Sequence, residues 1–258
     1  ELIGGGVSFP VTDLGLKKLR EGVEIHFLDS TFFPDPDPET TSVDGRVRFG
    51  VSATTFAGVR DGVGTSASDA GTADTAVSIR STTVTDQWDL MDRGIYVFDT
   101  SALGAGATIS AATCSLVCGG DNGSNFSQTM DLVQSTTASN TALAASDYEG
   151  TVGNTALQSD TQPAFSAITC DSATYTDYLL NATGRGNISV TGVTKLGVKG
   201  SSDRTNTAPT WSSNLTAGKQ IITAETAGTS TDPKLAVTYT AAGGVGRNFY
   251  FMMLGVGQ

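Results

Sequence analysis

Basic side chains are scarce in this sequence: 15 Lys and Arg stand against 26 Asp and Glu, with a single His, for a formal net charge of −11. That balance argues against a nucleic-acid partner, because binding to phosphate backbones draws most of its affinity from Lys and Arg. Lys17, Lys18 and Arg20 are too few to reverse the field. The lone His26 removes mechanisms that need two imidazoles, including most zinc hydrolases. No Gly-x-Ser-x-Gly elbow accompanies it, so it reads as an ordinary strand residue rather than as a member of a Ser-His-Asp triad. Long apolar runs are also missing, since none approaches the roughly 18 residues that a membrane-spanning helix needs. No membrane partner is expected. The opening Glu1-Leu2-Ile3-Gly4 lacks the basic and apolar regions of a secretory leader.

Cysteine is sparse and odd in number, at three. Cys114 and Cys118 fall four residues apart in an expected strand, which places their Cα atoms about 13 Å apart at about 3.3 Å per residue. The limit for a disulfide is about 7 Å, so they cannot pair with each other there. Cys170 can meet one of them across a sheet, but the simpler expectation is three small buried thiols filling a core. A Cys-x-x-x-Cys with one distant Cys and one His is a poor zinc set, and no cofactor is expected.

What the sequence does have is a rhythm. Short stretches alternate apolar with small polar residues between clusters of Gly, Asn, Asp and Ser: Met130 and Leu132, Leu196 and Val198, then Leu235, Val237 and Tyr239. A period of two marks half-buried strands. Strands are expected near 46–53, 75–80, 94–99, 112–118, 128–134, 164–170, 193–199, 219–224 and 234–240. Both faces of Gly94-Ile95-Tyr96-Val97-Phe98 are bulky, as in a strand covered on both sides. Ser172 is a candidate cap for a short helical turn holding Tyr175, Tyr178 and Leu179.

The ends read differently. Thr12 caps an expected helix through Leu14, Leu16 and Leu19 that stops at Gly22, and residues 23–28 then alternate as a strand. Pro34, Pro36 and Pro38 fix an extended segment that reads as a linker. The chain thus divides into an N-terminal arm and linker (1–38), a β-sandwich (39–240), and a Gly-rich spacer with an apolar tail (241–258).

Arg93-Gly94-Ile95-Tyr96-Val97-Phe98-Asp99-Thr100-Ser101, followed by Ala107-Thr108-Ile109-Ser110-Ala111-Ala112, resembles the core of DNRLRE-type β-sandwich modules. Residues 181–184, 187–189, 191–197 and 228–239 resemble segments of phage-associated and viral-metagenome proteins of that sandwich type. The resemblance covers roughly residues 43–240. It implies a jelly-roll-like, non-enzymatic module and supplies no catalytic positions.

Candidate chemistry is thin. Asp86, Asp89, Asp92 and Asp99 surround Trp88 and offer the paired carboxylates of a glycosidase, although Asp residues before a strand commonly end turns. Trp211, Trp88 and Tyr148 are candidate stacking platforms for glycans, against the alternative that each ring plugs the end of the sandwich. Asp61 with Asp69, and Asp121 with Asn122, offer oxygen ligands for calcium without the spacing of a known calcium loop. Phe249, Tyr250, Phe251, Met252, Met253 and Leu254 are six consecutive large apolar residues. They are read as an assembly contact with another subunit, the alternative being an extra strand folded back on its own sandwich. The expectation is therefore a jelly-roll-like antiparallel β-sandwich with an N-terminal arm and an apolar C-terminal tail, acting as a non-enzymatic structural protein of a phage virion. Its expected partners are copies of itself and other virion proteins. The alternative is a secreted or cell-surface carbohydrate-binding module, with host-surface glycans as ligands.

Overall fold

The computed structural model describes residues 27–151 and 153–242. Its strands are β1 (Leu28–Phe32), β2 (Asp44–Thr54), β3 (Ser66–Ser68), β4 (Ala73–Ser81), β5 (Trp88–Asp99), β6 (Thr108–Ser124), β7 (Met130–Gln134), β8 (Tyr175–Leu179), β9 (Val193–Gly200), β10 (Thr216–Ile222) and β11 (Lys234–Thr240). All the strand pairings are antiparallel. The all-β sandwich expected from the alternating pattern is the architecture observed.

The 17-residue β6 joins the two layers. Its first half lies between β11, with Ala112 opposite Val237, and β8, with Cys114 opposite Tyr178. Its last part pairs with β10, with Cys118 opposite Ile221. One layer is therefore β1-β11-β6-β8, and the other runs β6-β10-β4-β5-β2-β3, with β9 and β7 continuing from the second half of β5.

Alternation fixes which side chains enter the core. In β11, Leu235, Val237 and Tyr239 are buried while their neighbours are half-buried. Each such large apolar side chain stabilises the fold by about 1.5–3 kcal/mol. β5 is buried along both faces, as its bulk requires. Tyr96, on one face, is enclosed near Asp44, Cys114 and Tyr178. Arg93, on the other, meets three short helices: α1 (Phe56–Asp61), α2 (Asp147–Gly150) and, after α3 (Ala182–Gly186), α4 (Ser201–Thr205). Thr55 starts α1 by accepting from the Gly58 amide at 3.1 Å.

Several expectations are corrected. The segment expected as a strand at 164–170 carries a 3₁₀ turn at Phe165–Ala167 and a single bridge, Thr129 to Ala164. Its apolar residues Phe165 and Ile168 are three apart, the 3₁₀ period, and both are buried. The helical turn expected after Ser172 is strand β8. Ser172 has a left-handed φ of 60° and cannot serve as an N-cap, while Asp171 accepts from the Ala173 and Thr174 amides to close the turn before the strand.

The Pro-rich stretch is pinned rather than loose. Asp35 accepts from Thr40 and Thr41 through both their amides and hydroxyls. Burial works against its charge, but these donors outweigh it and hold the carboxyl down at about 2. Before it, β1 pairs with β11, so residues 28–32 belong to the sheet. The expectation of three buried thiols is corrected too: Cys118 and Cys170 form a disulfide with Cα atoms 4.4 Å apart. Cys114 remains a buried thiol, pushed up to about 12 by burial. The helix expected over 12–22, His26 and the tail residues Phe249, Tyr250, Phe251, Met252, Met253 and Leu254 lie outside the described residues.

Candidate functional site

Two of the three candidate glycan platforms have no face to offer. Trp88 is 2% exposed and sits edge-on to Phe56 and Phe126. Tyr148 is fully buried, donates its hydroxyl to the Val59 carbonyl at 2.6 Å, and lies under the Arg93 guanidinium, 3.9 Å from the ring centroid. Trp211 is half-buried against the core, with an indole nitrogen that is buried and unpaired. Of the carboxylates that the sequence places around Trp88, Asp89, Asp92 and Asp99 are each tied to a different partner. Asp92 is locked to Arg48, Asp89 to Arg80, and Asp99 accepts from the Ser101 amide. Asp86 occupies a turn at φ 56°.

The calcium candidates do not converge either. Asp61 pairs with Arg60 at 2.5 Å, while Asp69 accepts from the Leu143 amide at 2.8 Å. Asp121 pairs with Lys219 at 2.7 Å and accepts from the Gly123 amide. Among the described residues, no group of three or more His, Cys, Asp or Glu side chains could hold a metal ion.

A buried ionic cluster went unseen in the sequence. Arg93 donates Nε to Asp203 Oδ2 at 2.7 Å and Nη2 to Oδ1 at 2.9 Å, then reaches the carbonyls of Tyr148 and Arg60. Arg60 donates to the Asp203 carbonyl at 2.7 Å. These bonds tie α1, α2 and α4 to β5. Lys199 is buried beside the cluster, donates to the Thr151 carbonyl, and is pushed down to about 8 by burial. All these side chains are closed to solvent.

A row of partly exposed arginines lies on one face of β2, β5 and β4, over the buried Asp74, Ser78 and Asp92. Arg48, Asp92 and Ser78 stand in one cross-strand row, and Gly50, Leu90 and Arg80 in the next. Arg48 binds Asp92 through Nε and Nη2 at 2.6 and 3.1 Å, and Arg80 binds Asp89 in the same two-pronged way at 2.7 and 3.1 Å. Arg46 pairs with Asp74 at 2.9 Å. Nothing in the local sequence marks this face except the alternation of Arg46 and Arg48 with Val47, which reads equally well as a solvated strand face.

The third feature is a corner. Leu28 lies opposite Tyr239 in the β1–β11 pair, so the first and last described strands begin and end side by side. Phe27 and Leu28 beside it are exposed, at 61% and 43%. No helix among the described residues is long and apolar enough to cross a membrane. No family model and no curated protein matches the sequence.

Proposed function

We propose that this protein is a non-enzymatic structural component of a phage virion, a capsid decoration or a part of a tail fibre or spike, assembled through its N-terminal arm and C-terminal tail. Its partners are copies of itself and other virion proteins, and its place is the extracellular particle. The observation that carries the reading is the corner at Leu28 and Tyr239, where the first and last described strands meet, so that the preceding and following segments attach to the sandwich side by side. The tail holds Phe249, Tyr250, Phe251, Met252, Met253 and Leu254, and burying each such side chain in a neighbour stabilises contact by about 1.5–3 kcal/mol. Two segments leaving one corner let each subunit of a symmetric assembly cover the next. The pairing of Asp89 and Asp92 with arginines supports a non-catalytic role, since each carboxylate is already occupied by a guanidinium.

Sedimentation of the protein lacking residues 247–258 tests the reading. The truncated chain is expected to shift toward monomer with its β-rich circular dichroism intact, and assembly that persists without the tail defeats the proposal. The second reading, a carbohydrate-binding module, is favoured by Trp211 being only partly buried. It requires sugar binding that disappears in Trp211→Ala.

A further inference from the structure

The arginine face of β2, β5 and β4 is hollowed rather than flat. Gly50, Leu90, Arg80 and Thr216 form one cross-strand row, and Arg48, Asp92, Ser78 and Gly218 the next. Small residues in both rows leave a trough between the two arginines. It consists of adjoining hollows of about 530 and 310 Å³ that share Arg48, Arg80 and Leu90. We propose that this trough is a binding site for an uncharged saccharide.

Three features select that ligand. First, each arginine is held in advance. Nε and Nη2 of Arg48 and of Arg80 are fixed on carboxylates, whereas Nη1 of each makes no hydrogen bond among the described residues. Donors immobilised by a two-pronged ion pair lose little freedom when a ligand arrives. Second, donors and acceptors alternate over the part of the trough that solvent reaches, from the guanidiniums of Arg48 and Arg80 to the Asp89 carboxylate and the Thr65 and Ser66 hydroxyls, while Asp92 and Ser78 are buried beneath them. Sugar hydroxyls each donate one hydrogen bond and accept others, so they match such a surface. Leu90, half-buried between the arginines, gives the apolar face of a sugar ring a contact.

Third, the local charge cancels. Arg46, Arg48 and Arg80 face Asp74, Asp89 and Asp92. An anionic ligand gains no excess of positive charge there and meets a chain of net charge −11. A cation finds the carboxylates already paired. An open trough gives weak single-site binding, and many copies in one particle multiply it by avidity. The site itself does not depend on the assembly proposed above.

A mixed array of neutral, sialylated and sulfated glycans, probed with the full chain, is the test, followed by titration of the retained neutral glycans. Neutral glycans are expected to bind, and Arg80→Ala, at a position 44% exposed in its side chain, is expected to weaken binding at least about tenfold with unchanged circular dichroism. Arg48→Ala should act in the same direction, while Trp211→Ala should bind like the parent. Retention of no neutral glycan overturns the inference, as does retention of acidic glycans alone. Binding that survives both arginine substitutions, or that vanishes in Trp211→Ala, overturns it as well. The chain lacking residues 247–258 should bind equally well, so failure of the assembly reading and failure of this one give different results.

Discussion

At the scale of single residues, the energetics are dominated by ionic groups that water cannot reach. Arg93 is 1% exposed in its side chain and Asp203 3%, and removing one partner of such a pair leaves the other charged and unsolvated. Arg93→Ala should therefore cost about 3–5 kcal/mol of unfolding free energy in a urea titration. A loss below about 1 kcal/mol, the ordinary surface value, would show the pair to be dispensable. A second group has the opposite problem. Asp44 Oδ2 and Asp232 Oδ1 are buried without a hydrogen-bond partner. Burial first, then the neighbouring charges of Glu225, Asp232 and Asp74, drive Asp44 well above the usual carboxylate range against a donor from the Ala224 amide. Burial pushes Asp232 up to about 6. The folded state thus binds protons more tightly than the unfolded chain, whose carboxyls titrate near about 4. The resulting stabilisation is complete below that value and is lost as pH rises through the folded values, from about 4 to about 6 for Asp232 and higher for Asp44. Thermal melts are expected to show this decline between acid and neutral pH in the parent and a shallower one in Asp44→Asn. Equal slopes would mean that Asp44 is not among the groups responsible. None of this was visible in the sequence. Tyr148, between Asp147 and Glu149, reads as a candidate stacking platform, yet Asp147 is itself buried, accepting from the Ala138 and Ala144 amides, and Tyr148 is buried beside it.

At the scale of elements, the strands with clean alternation were legible. β2, β4, β7, β9 and β11 fall close to where the alternating pattern places them, and in β11 and the middle of β2 every second residue is buried. β5, bulky on both faces, was readable as a strand covered on both sides. Elements without that mark were misread. Tyr175 and Tyr178, three apart, mimic one helical turn, but β8 gains its stability from pairing with β6 at the far side of the layer. The bridge from Cys118 to Cys170 is of the same kind, since it depends on a long-range approach between β6 and a loop. It closes a span of 52 residues, for which loop-closure entropy gives about 4 kcal/mol. Cys170→Ser should lower unfolding free energy toward that amount while leaving the strand content unchanged. A midpoint unaffected by the substitution, or by reductant, would show that the bridge adds no stability.

For the whole molecule, β6 makes the two layers one cooperative body, because the same strand pairs with β11 and β8 at one end and with β10 at the other. Unfolding should accordingly appear as one transition, with β-sheet circular dichroism and the fluorescence of Trp88 and Trp211 changing together. Two separated transitions would mean that the layers unfold independently. The corner at Leu28 and Tyr239 and the trough between Arg48 and Arg80 also exist only at this scale, since each joins residues far apart in the chain. By itself the sequence determined the all-β character, the positions of most long strands and the segregation of apolar tail residues, because burial periodicity and turn chemistry are local properties. Tertiary structure alone decided which cysteine pairs with which, which aromatics are sealed, which charges meet and that the first and last described strands pair. Those outcomes depend on strand order and register, which bring together groups that no local pattern connects.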